Sequence, residues 1–231
     1  MPLTWQRATV VDIRPETPTA KTFRLRLEQP SGHLAGQHYV LRLTAPDGYT
    51  ASRSYSVASP PDGSPEIELT VERLPDGEVS TFLHDELVAG DELEVRGPIG
   101  LWFVWQADTP AVLVGGGSGL VPLMAMLRLG RLQGKEGLAR LVVSVRRPGD
   151  LYYAAELGRP DATVIYTREA PAGSTRTPGH LALGDLVPAI TAGATAYVCG
   201  SSPFADAVTD LLLAAGVEAP QIRVERFGPS G

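Results

Sequence analysis

The pattern of apolar residues changes once along the chain, and this change limits the fold more than any other feature. Between positions 5 and 95 apolar and polar residues tend to alternate, as in the segments 23–27, 39–43 and 67–71. A period of two is typical of strands with one buried face, and turn-rich stretches such as 59–63 separate the runs. We therefore expect an antiparallel barrel or sandwich of about six strands, with one short helix after Ser80.

From Ala111 onward, short apolar runs alternate with segments of helical period. This alternation is typical of βαβ units and predicts a parallel sheet. The clearest helices are expected over 120–132 and 203–215, and the strands over 111–114, 141–145, 163–166, 195–199 and 222–224. The pattern switches within 97–110, so we expect two domains, covering 1–104 and 105–231.

Composition and charge exclude several classes of protein. Hydrophobic residues make up 43% and charged residues 20% of the 231 positions, as in ordinary globular chains. A single cysteine, Cys199, rules out an intrachain disulfide or an iron–sulfur cluster held by this chain alone. The net charge of −6 without a basic run argues against nucleic-acid binding. We expect no membrane span, no metal site and a cytoplasmic location, because no long apolar stretch, metal-ligand spacing or leader-like N-terminus is present.

The segment 114–122 reads VGGGSGLVP and joins a predicted strand to a predicted helix. Glycines let the backbone approach a diphosphate, and a helix N-terminus supplies free N–H groups and a positive dipole end. Gly116, Gly117, Ser118 and Gly119 are therefore candidate ligands of a dinucleotide. A tight turn without a ligand is the alternative interpretation.

Two features distinguish this turn from the usual dinucleotide fingerprint. Pro122 stands where a third glycine is expected, and the following strand ends in Arg146 and Arg147 instead of an acid that would bind a ribose diol. An ordinary NAD dehydrogenase is therefore disfavoured. A nicotinamide domain of another lineage remains.

A second motif, Arg53-Ser54-Tyr55-Ser56, lies at the end of a predicted strand in the first half. Arg53 can bind a phosphate through its forked guanidinium, Tyr55 offers a flat ring for stacking, and Ser56 can donate to a ring nitrogen. The four residues are common, so a plain strand with alternating exposure is the alternative.

The third motif is the segment 77–83, GEVSTFL. Ser80 is a good helix N-cap, and the turn predicted to follow it contains no carboxylate, which would leave the positive dipole end free for an anion. An ordinary capped helix is the alternative. Each half of the chain then offers one anion site at a helix N-terminus, and two dinucleotides fit that number.

These motifs, together with Val198-Cys199-Gly200 and the ending Glu225-Arg226-Phe227, occur in an order that resembles the ferredoxin–NADP reductase family. The resemblance extends over nearly the whole chain. It implies a flavin-binding antiparallel Greek-key β-barrel followed by a nicotinamide-binding α/β domain. The implied cofactors are FAD and either NADPH or NADH.

The resemblance also implies roles for individual residues. Arg53 would pair with the flavin phosphates, Tyr55 would pack on the isoalloxazine ring, and Ser56 would hydrogen-bond near its N5 atom. Further flavin contacts would come from Ser54, Val71, Glu72, Arg73, Gly77, Val79, Ser80 and Phe227. The nucleotide would be bound by Gly116, Gly117, Ser118, Gly119, Arg146, Thr167, Arg168, Arg176, Cys199 and Gly200, with Arg168 and Arg176 slightly favouring NADPH.

Two segments depart from the family pattern. After Gly200 the chain reads SSPF, where many relatives have a proline and a methionine, and four residues follow Phe227, where plant-type relatives end on an aromatic residue. The local shape at 201–204 and the stacking of Phe227 on the flavin are therefore left open.

The reaction implied is hydride transfer from NAD(P)H to FAD, with Ser56, Cys199 and Glu225 around the reacting rings. A separate protein with an iron–sulfur or haem centre, such as a ferredoxin or an oxygenase component, would accept the electrons, because this chain has a single cysteine. Without the resemblance, Cys199 reads as a small buried residue and Glu225 as a solvated acid. A free flavin reductase and an electron-transfer subunit of a larger complex are the competing functions.

Overall fold

The computed structural model describes residues 4–227 and contains two β-sheets. No helix in the described part of the chain is long and apolar enough to cross a membrane. The first sheet is formed by β1 Gln6–Thr17, β2 Ala20–Leu27, β3 His38–Thr44, β4 Thr50–Ser56, β5 Glu66–Glu72 and β6 Glu92–Ile99, with helix α1 at Glu78–Asp85. The second part contains β7 Ala111–Gly116, α2 Leu120–Leu132, β8 Ala139–Val145, β9 Ala162–Tyr166, α3 Leu183–Leu186, β10 Thr195–Ser201, α4 Ser202–Ala214 and β11 Ile222–Phe227.

The first sheet is antiparallel, has the strand order β4-β3-β6-β1-β2-β5 and curls until its two edge strands meet. Val57, directly after β4, forms an antiparallel bridge with Leu69 of β5, and the Ala58 N–H donates to the Glu68 carbonyl at 2.7 Å. These contacts close the barrel at one end of the seam. The strands enclose a core of alternate apolar residues, including Phe23, Leu25 and Leu41, which confirms the predicted antiparallel barrel.

The second sheet is wholly parallel, with the order β11-β10-β7-β8-β9. Its strands bury apolar side chains on both faces, as parallel strands covered by helices do. The predicted α/β fold is thus confirmed, and the expected helix over 120–132 has those bounds. The division between residues 104 and 105 stays a prediction.

Helix α2 lies between the two sheets. Its apolar residues share one buried cluster with Ala20, Ala35 and Ala58 of the barrel and with Trp105 of the connecting segment. Ala35 and Trp105 also form an antiparallel bridge. The core is therefore continuous from the barrel into the second sheet.

The short helix of the barrel begins earlier than the sequence predicts. Its N-cap is Gly77 and its first turn contains Glu78, so Ser80 is not the N-cap and the first turn is not free of carboxylates. The Ser80 hydroxyl instead accepts from the Leu74 N–H at 3.1 Å and donates to the Gly77 carbonyl at 3.1 Å. Ser80 thus closes the loop that precedes the helix instead of capping the helix. Gly77 leaves room for this serine, because a Cβ on Gly77 would lie 2.3 Å from the Ser80 hydroxyl oxygen.

Candidate functional site

The predicted nucleotide residues of the second sheet lie at the carboxyl ends of its strands. In a parallel sheet these ends share one edge, which is where open α/β sheets bind ligands. Cys199 of β10 stands in register between Gly115 of β7 and Glu225 of β11. The glycine-rich turn, Gly200 and Phe227 therefore meet at one place.

Glycines at this edge leave space that a side chain would fill. A Cβ on Gly119 would lie 2.1 Å from the Cys199 carbonyl oxygen, so the turn packs directly on β10. Gly117 has a φ of +56°, a backbone conformation that favours glycine. Helix α2 starts here without a side-chain cap and without an acid in its first turn. A backbone surface of this kind fits a nucleotide diphosphate.

Phe204 completes this surface, a role that sequence reasoning missed. A Cβ on Gly116 would lie 2.9 Å from its ring, and a Cβ on Gly200 would lie 2.6 Å from it. The ring, near the start of α4, thus packs against two glycines from adjacent strands. The signal was the departure from the family pattern at 201–204, which placed an aromatic ring where many relatives have methionine.

Cys199 and Glu225 are neighbours within this edge. The Cys199 side chain is fully buried. Burial, and next the Glu225 carboxylate, raise the pKa of its thiol well above the usual value, which keeps the thiol protonated at neutral pH. Burial also raises the pKa of Glu225 to about 7. Glu225 is therefore poised to change charge near neutral pH.

On the barrel side, Arg53, Tyr55 and Ser56 lie along edge strand β4. The exposed Arg53 guanidinium forms one hydrogen bond within residues 4–227, to the Ser52 carbonyl at 2.8 Å, and has no carboxylate partner there. Tyr55 is half-buried, and burial raises the pKa of its hydroxyl to about 12. An unpaired cation beside an aromatic ring at an open seam fits a flavin with its phosphates.

The end of β5 is occupied by other contacts. Val71 is buried in the barrel core, and Arg73 forms a bidentate ion pair with Asp85, with one N–O distance of 2.7 Å. Burial raises the pKa of the Tyr152 phenol in the second domain, and the nearby Glu72 carboxylate raises it further. The side chains of Val71 and Arg73 are thus engaged within the barrel.

A second group of predicted nucleotide residues lies directly after strands β8 and β9: Arg146, Thr167 and Arg168. The Thr167 N–H donates to the Val145 carbonyl at 2.8 Å, and the Arg168 N–H donates to the Arg146 carbonyl at 3.0 Å. The side chains of both arginines are exposed. They are available to a ligand at this edge.

Arg176 differs from these two arginines because its guanidinium already has partners, and its role with a nucleotide phosphate stays a prediction. Its guanidinium holds Asp185 at 2.7 and 2.8 Å and donates to the His180 carbonyl at 2.9 Å. It donates further to the carbonyls of Thr177 and Gly179. Its donors are thus used to fold the segment 176–185.

A cleft of about 740 Å³ opens between the barrel and the second domain, and none of the predicted site residues lines it. Its charged residues other than Asp62 pair with each other: Arg14 with Glu16, Arg24 with Glu66, and Arg128 with Glu68 and Glu156. We therefore interpret this cleft as an ion-pair network between the domains and not as the nucleotide site.

Comparison with known families agrees with this arrangement. Residues 7–104 match the oxidoreductase FAD-binding domain, and residues 113–210 match the oxidoreductase NAD-binding domain. The FAD/NAD-binding domain of nitric oxide dioxygenase from Vibrio cholerae has the same fold, with a TM-score of 0.83 at 23% identity over 97% of this chain and 99% of that one.

Curated relatives include reductase components of oxygenase systems. The glycine betaine monooxygenase reductase subunit of Pseudomonas aeruginosa is 32% identical over 95% of this chain. The ferredoxin–NAD(P)(+) reductase component of the naphthalene 1,2-dioxygenase/salicylate 5-hydroxylase systems of Ralstonia sp. is 29% identical over 97% of it. The chain spans 63% of the length of the first relative and 70% of the second.

The two matched domains follow each other in the order that the motifs predict, and together they cover most of the described residues. The chain carries the FAD-binding and NAD-binding domains of an oxidoreductase and belongs to the ferredoxin–NADP reductase family.

Proposed function

We propose that this protein is an FAD-containing reductase that oxidises NAD(P)H and delivers the electrons to a separate acceptor protein. The observation that carries the proposal is that each of the two domains of the chain offers one phosphate-type site. The Arg53 to Ser56 strand lies at the barrel seam, and the Gly116 to Gly119 turn lies at the edge of the parallel sheet. When bound, NAD(P)H supplies a hydride and FAD accepts it and passes electrons on.

The protein's own contribution is to hold two rings against each other in a cleft with little water. Arg53 would neutralise the flavin phosphates, and Tyr55 would offer its ring to the isoalloxazine. Ser56, which is 8% exposed, would donate a hydrogen bond near N5. Tyr55 keeps its proton in this role, because burial raises the pKa of its hydroxyl to about 12.

On the nicotinamide side, the glycine turn would hold the diphosphate with backbone N–H groups. Cys199 would offer a neutral thiol beside the ring, since burial keeps it protonated. Glu225, with a pKa of about 7, would hold or release a proton next to Cys199. Phe227 packs against the cluster that contains Cys199, so its ring would border the flavin.

The acceptor belongs to the proposal as well. Relatives are reductase components of oxygenase systems, which implies a protein that accepts electrons. We propose that this acceptor carries an iron–sulfur or haem centre, because reduced flavin can pass electrons one at a time. An iron–sulfur centre would lie on another polypeptide or domain, because a cluster usually needs four thiolates and this chain has one cysteine.

The purified protein under anaerobic conditions tests the function directly. We expect a yellow protein with a flavin spectrum that bleaches on addition of NADH or NADPH and then reduces ferricyanide. A colourless protein that oxidises NADH only when free flavin is added would instead indicate a flavin reductase. A yellow protein that neither nucleotide bleaches would indicate a subunit without turnover of its own.

The half-buried carboxyl of Glu225 leads us to expect a pH-dependent stability. In the folded state its pKa is raised by burial to about 7, so between the unfolded value near 4.5 and pH 7 the folded state holds more protons, and stability falls as pH rises. Glu225→Gln removes this ionisation. At pH 8 we expect the free energy of unfolding of the variant to exceed that of the wild type by on the order of 2 kcal/mol, so that the variant melts several degrees higher. The difference should be smaller at pH 5.5.

The control for this comparison is Glu218→Gln, which changes an exposed carboxylate four positions from the end of α4. It should shift the melting temperature little at either pH. A Glu225→Gln variant that is equally stabilised, or equally destabilised, at both pH values would contradict the assigned cause.

We expect Arg168 to contribute to a preference for NADPH over NADH. Its exposed guanidinium, two residues after β9, would bind the 2′-phosphate that distinguishes NADPH from NADH. We expect Arg168→Ser to raise the KM for NADPH about tenfold and to leave the KM for NADH within a factor of two. Arg159→Ser, at the opposite end of the same strand, should change neither value, and equal changes for both nucleotides in Arg168→Ser would exclude this role.

A further inference from the structure

Tyr49 is an exposed aromatic residue whose ring is held in place. It stands directly before β4, in the turn that follows β3, and it is 57% exposed. Its N–H donates to the Asp47 carboxylate at 3.0 Å, and its carbonyl accepts from the Ala45 N–H at 2.8 Å. Its hydroxyl donates to Oε2 of Glu78, the first residue of α1, at 3.1 Å. The residue is therefore fixed at both ends, while its ring stays open to a ligand.

The hydrogen bond between Tyr49 and Glu78 crosses the seam of the barrel. Strands β4 and β5 are the edge strands of the sheet, and the bridge between Val57 and Leu69 closes the seam beyond the carboxyl end of β4. Tyr49 stands at the other end of β4, and Glu78 lies in the helix that follows β5. The pair therefore bounds the proposed flavin site at the end away from Ser56.

Tyr49, Arg53 and Tyr55 lie on one side of the chain. Side chains alternate across an extended strand, so these odd-numbered positions share a face. The hydrogen bond to Glu78 raises the pKa of the Tyr49 hydroxyl, and burial raises the pKa of the Tyr55 hydroxyl to about 12. The Arg53 guanidinium is close enough to oppose both increases. Arg53 therefore stands between two tyrosine rings.

The order of these three side chains matches the order of the parts of FAD. The cofactor consists of an isoalloxazine ring, a diphosphate and an adenosine in line, and FMN lacks the adenosine. In the proposed flavin site Tyr55 packs on the isoalloxazine and Arg53 binds the phosphates, so the adenosine end would reach Tyr49. Six residues of extended strand span about 20 Å, a distance that suits an extended dinucleotide.

The charge around Tyr49 favours the uncharged adenosine over a further phosphate. The segments 45–56 and 74–83 contain three acids, Asp47, Asp76 and Glu78, and a single arginine, Arg53. Within residues 4–227, the Glu78 carboxylate accepts one hydrogen bond, through Oε2, which leaves Oε1 available. The ribose of adenosine offers two hydroxyl donors, and a carboxylate oxygen is a strong acceptor for them.

From this arrangement we infer that Tyr49 stacks on the adenine of FAD, that Glu78 binds the adjoining ribose, and that the pair selects FAD over FMN. An aromatic ring offers a base a flat apolar face, and such stacking adds measurably to affinity. The inference rests on the proposed function, because it takes Arg53 and Tyr55 to bind a flavin.

The test measures flavin affinity and needs no turnover. The flavin-free full chain is titrated with FAD or with FMN, and binding is followed by the change in flavin fluorescence. We expect the wild type to bind FAD at least about tenfold more tightly than FMN. Tyr49→Ser should raise the Kd for FAD about tenfold and leave the Kd for FMN within a factor of two, because FMN has no base to stack.

Two variants serve as controls. Tyr49→Phe keeps the ring and loses the bond to Glu78, so it should retain most of the preference for FAD. Leu132→Ser changes a residue of the same exposed fraction, 57%, at the end of α2, and should alter neither Kd. The FMN affinity of Tyr49→Ser also shows that this variant has folded.

Three results overturn the inference: equal affinities of the wild type for FAD and FMN, an FAD affinity that Tyr49→Ser leaves unchanged, and equal losses for both flavins in that variant. Each of them leaves a flavin bound at Arg53 and Tyr55 and therefore spares the proposed function. A wild type that binds neither flavin contradicts the proposed function itself. The two failures are therefore distinguishable.

Discussion

The contacts of Arg128 join the two domains, and the arrangement of the site depends on them. Arg128 projects from α2 and donates to the Ala58 carbonyl and to Glu68 of the barrel, each at 2.9 Å, while it also pairs with Glu156. Its side chain is 12% exposed, so these charges are largely removed from water. Removing one partner of such a group is costly, because the remaining charge is left without compensation.

Tyr153 strengthens the same junction. Its N–H donates to Glu16 of the barrel at 3.0 Å, its hydroxyl bonds to Thr70, and its ring lies 4.8 Å from the Arg128 guanidinium. Because α2 begins at the glycine turn, a helix fixed against the barrel also fixes that turn. The distance between the proposed flavin site and the proposed nicotinamide site is thereby set by contacts remote from either.

Local sequence patterns predicted the elements and the positions of the motifs. The alternating segments 23–27 and 67–71 lie in β2 and β5. The apolar run before the VGGGSGL turn forms β7, and the segment of helical period after it forms α2. Such features depend on neighbouring residues only. The predicted start of α1 was wrong because Ser80 does not act as an N-cap. Its hydroxyl instead accepts from the Leu74 N–H and closes the preceding loop.

Contacts between distant residues could not be predicted in this way. Glu16 and Tyr153 are 137 positions apart, and nothing in either segment indicates the other. The five hydrogen bonds of Arg176 within 176–185 could likewise not be predicted, because they form only when that segment has folded. Motifs therefore located the candidate site, whereas long-range pairing decides which of its side chains are free to act.

The central claim is that the barrel seam and the edge of the parallel sheet form one cleft for a flavin and a nicotinamide. A crystal structure of the protein with FAD bound tests it most directly. The account predicts the isoalloxazine ring in contact with Tyr55 and Ser56, facing Cys199 and Phe227, with its phosphates at Arg53. An isoalloxazine ring bound away from Cys199 and Phe227, or in the cleft lined by Arg14 and Glu156, would contradict it.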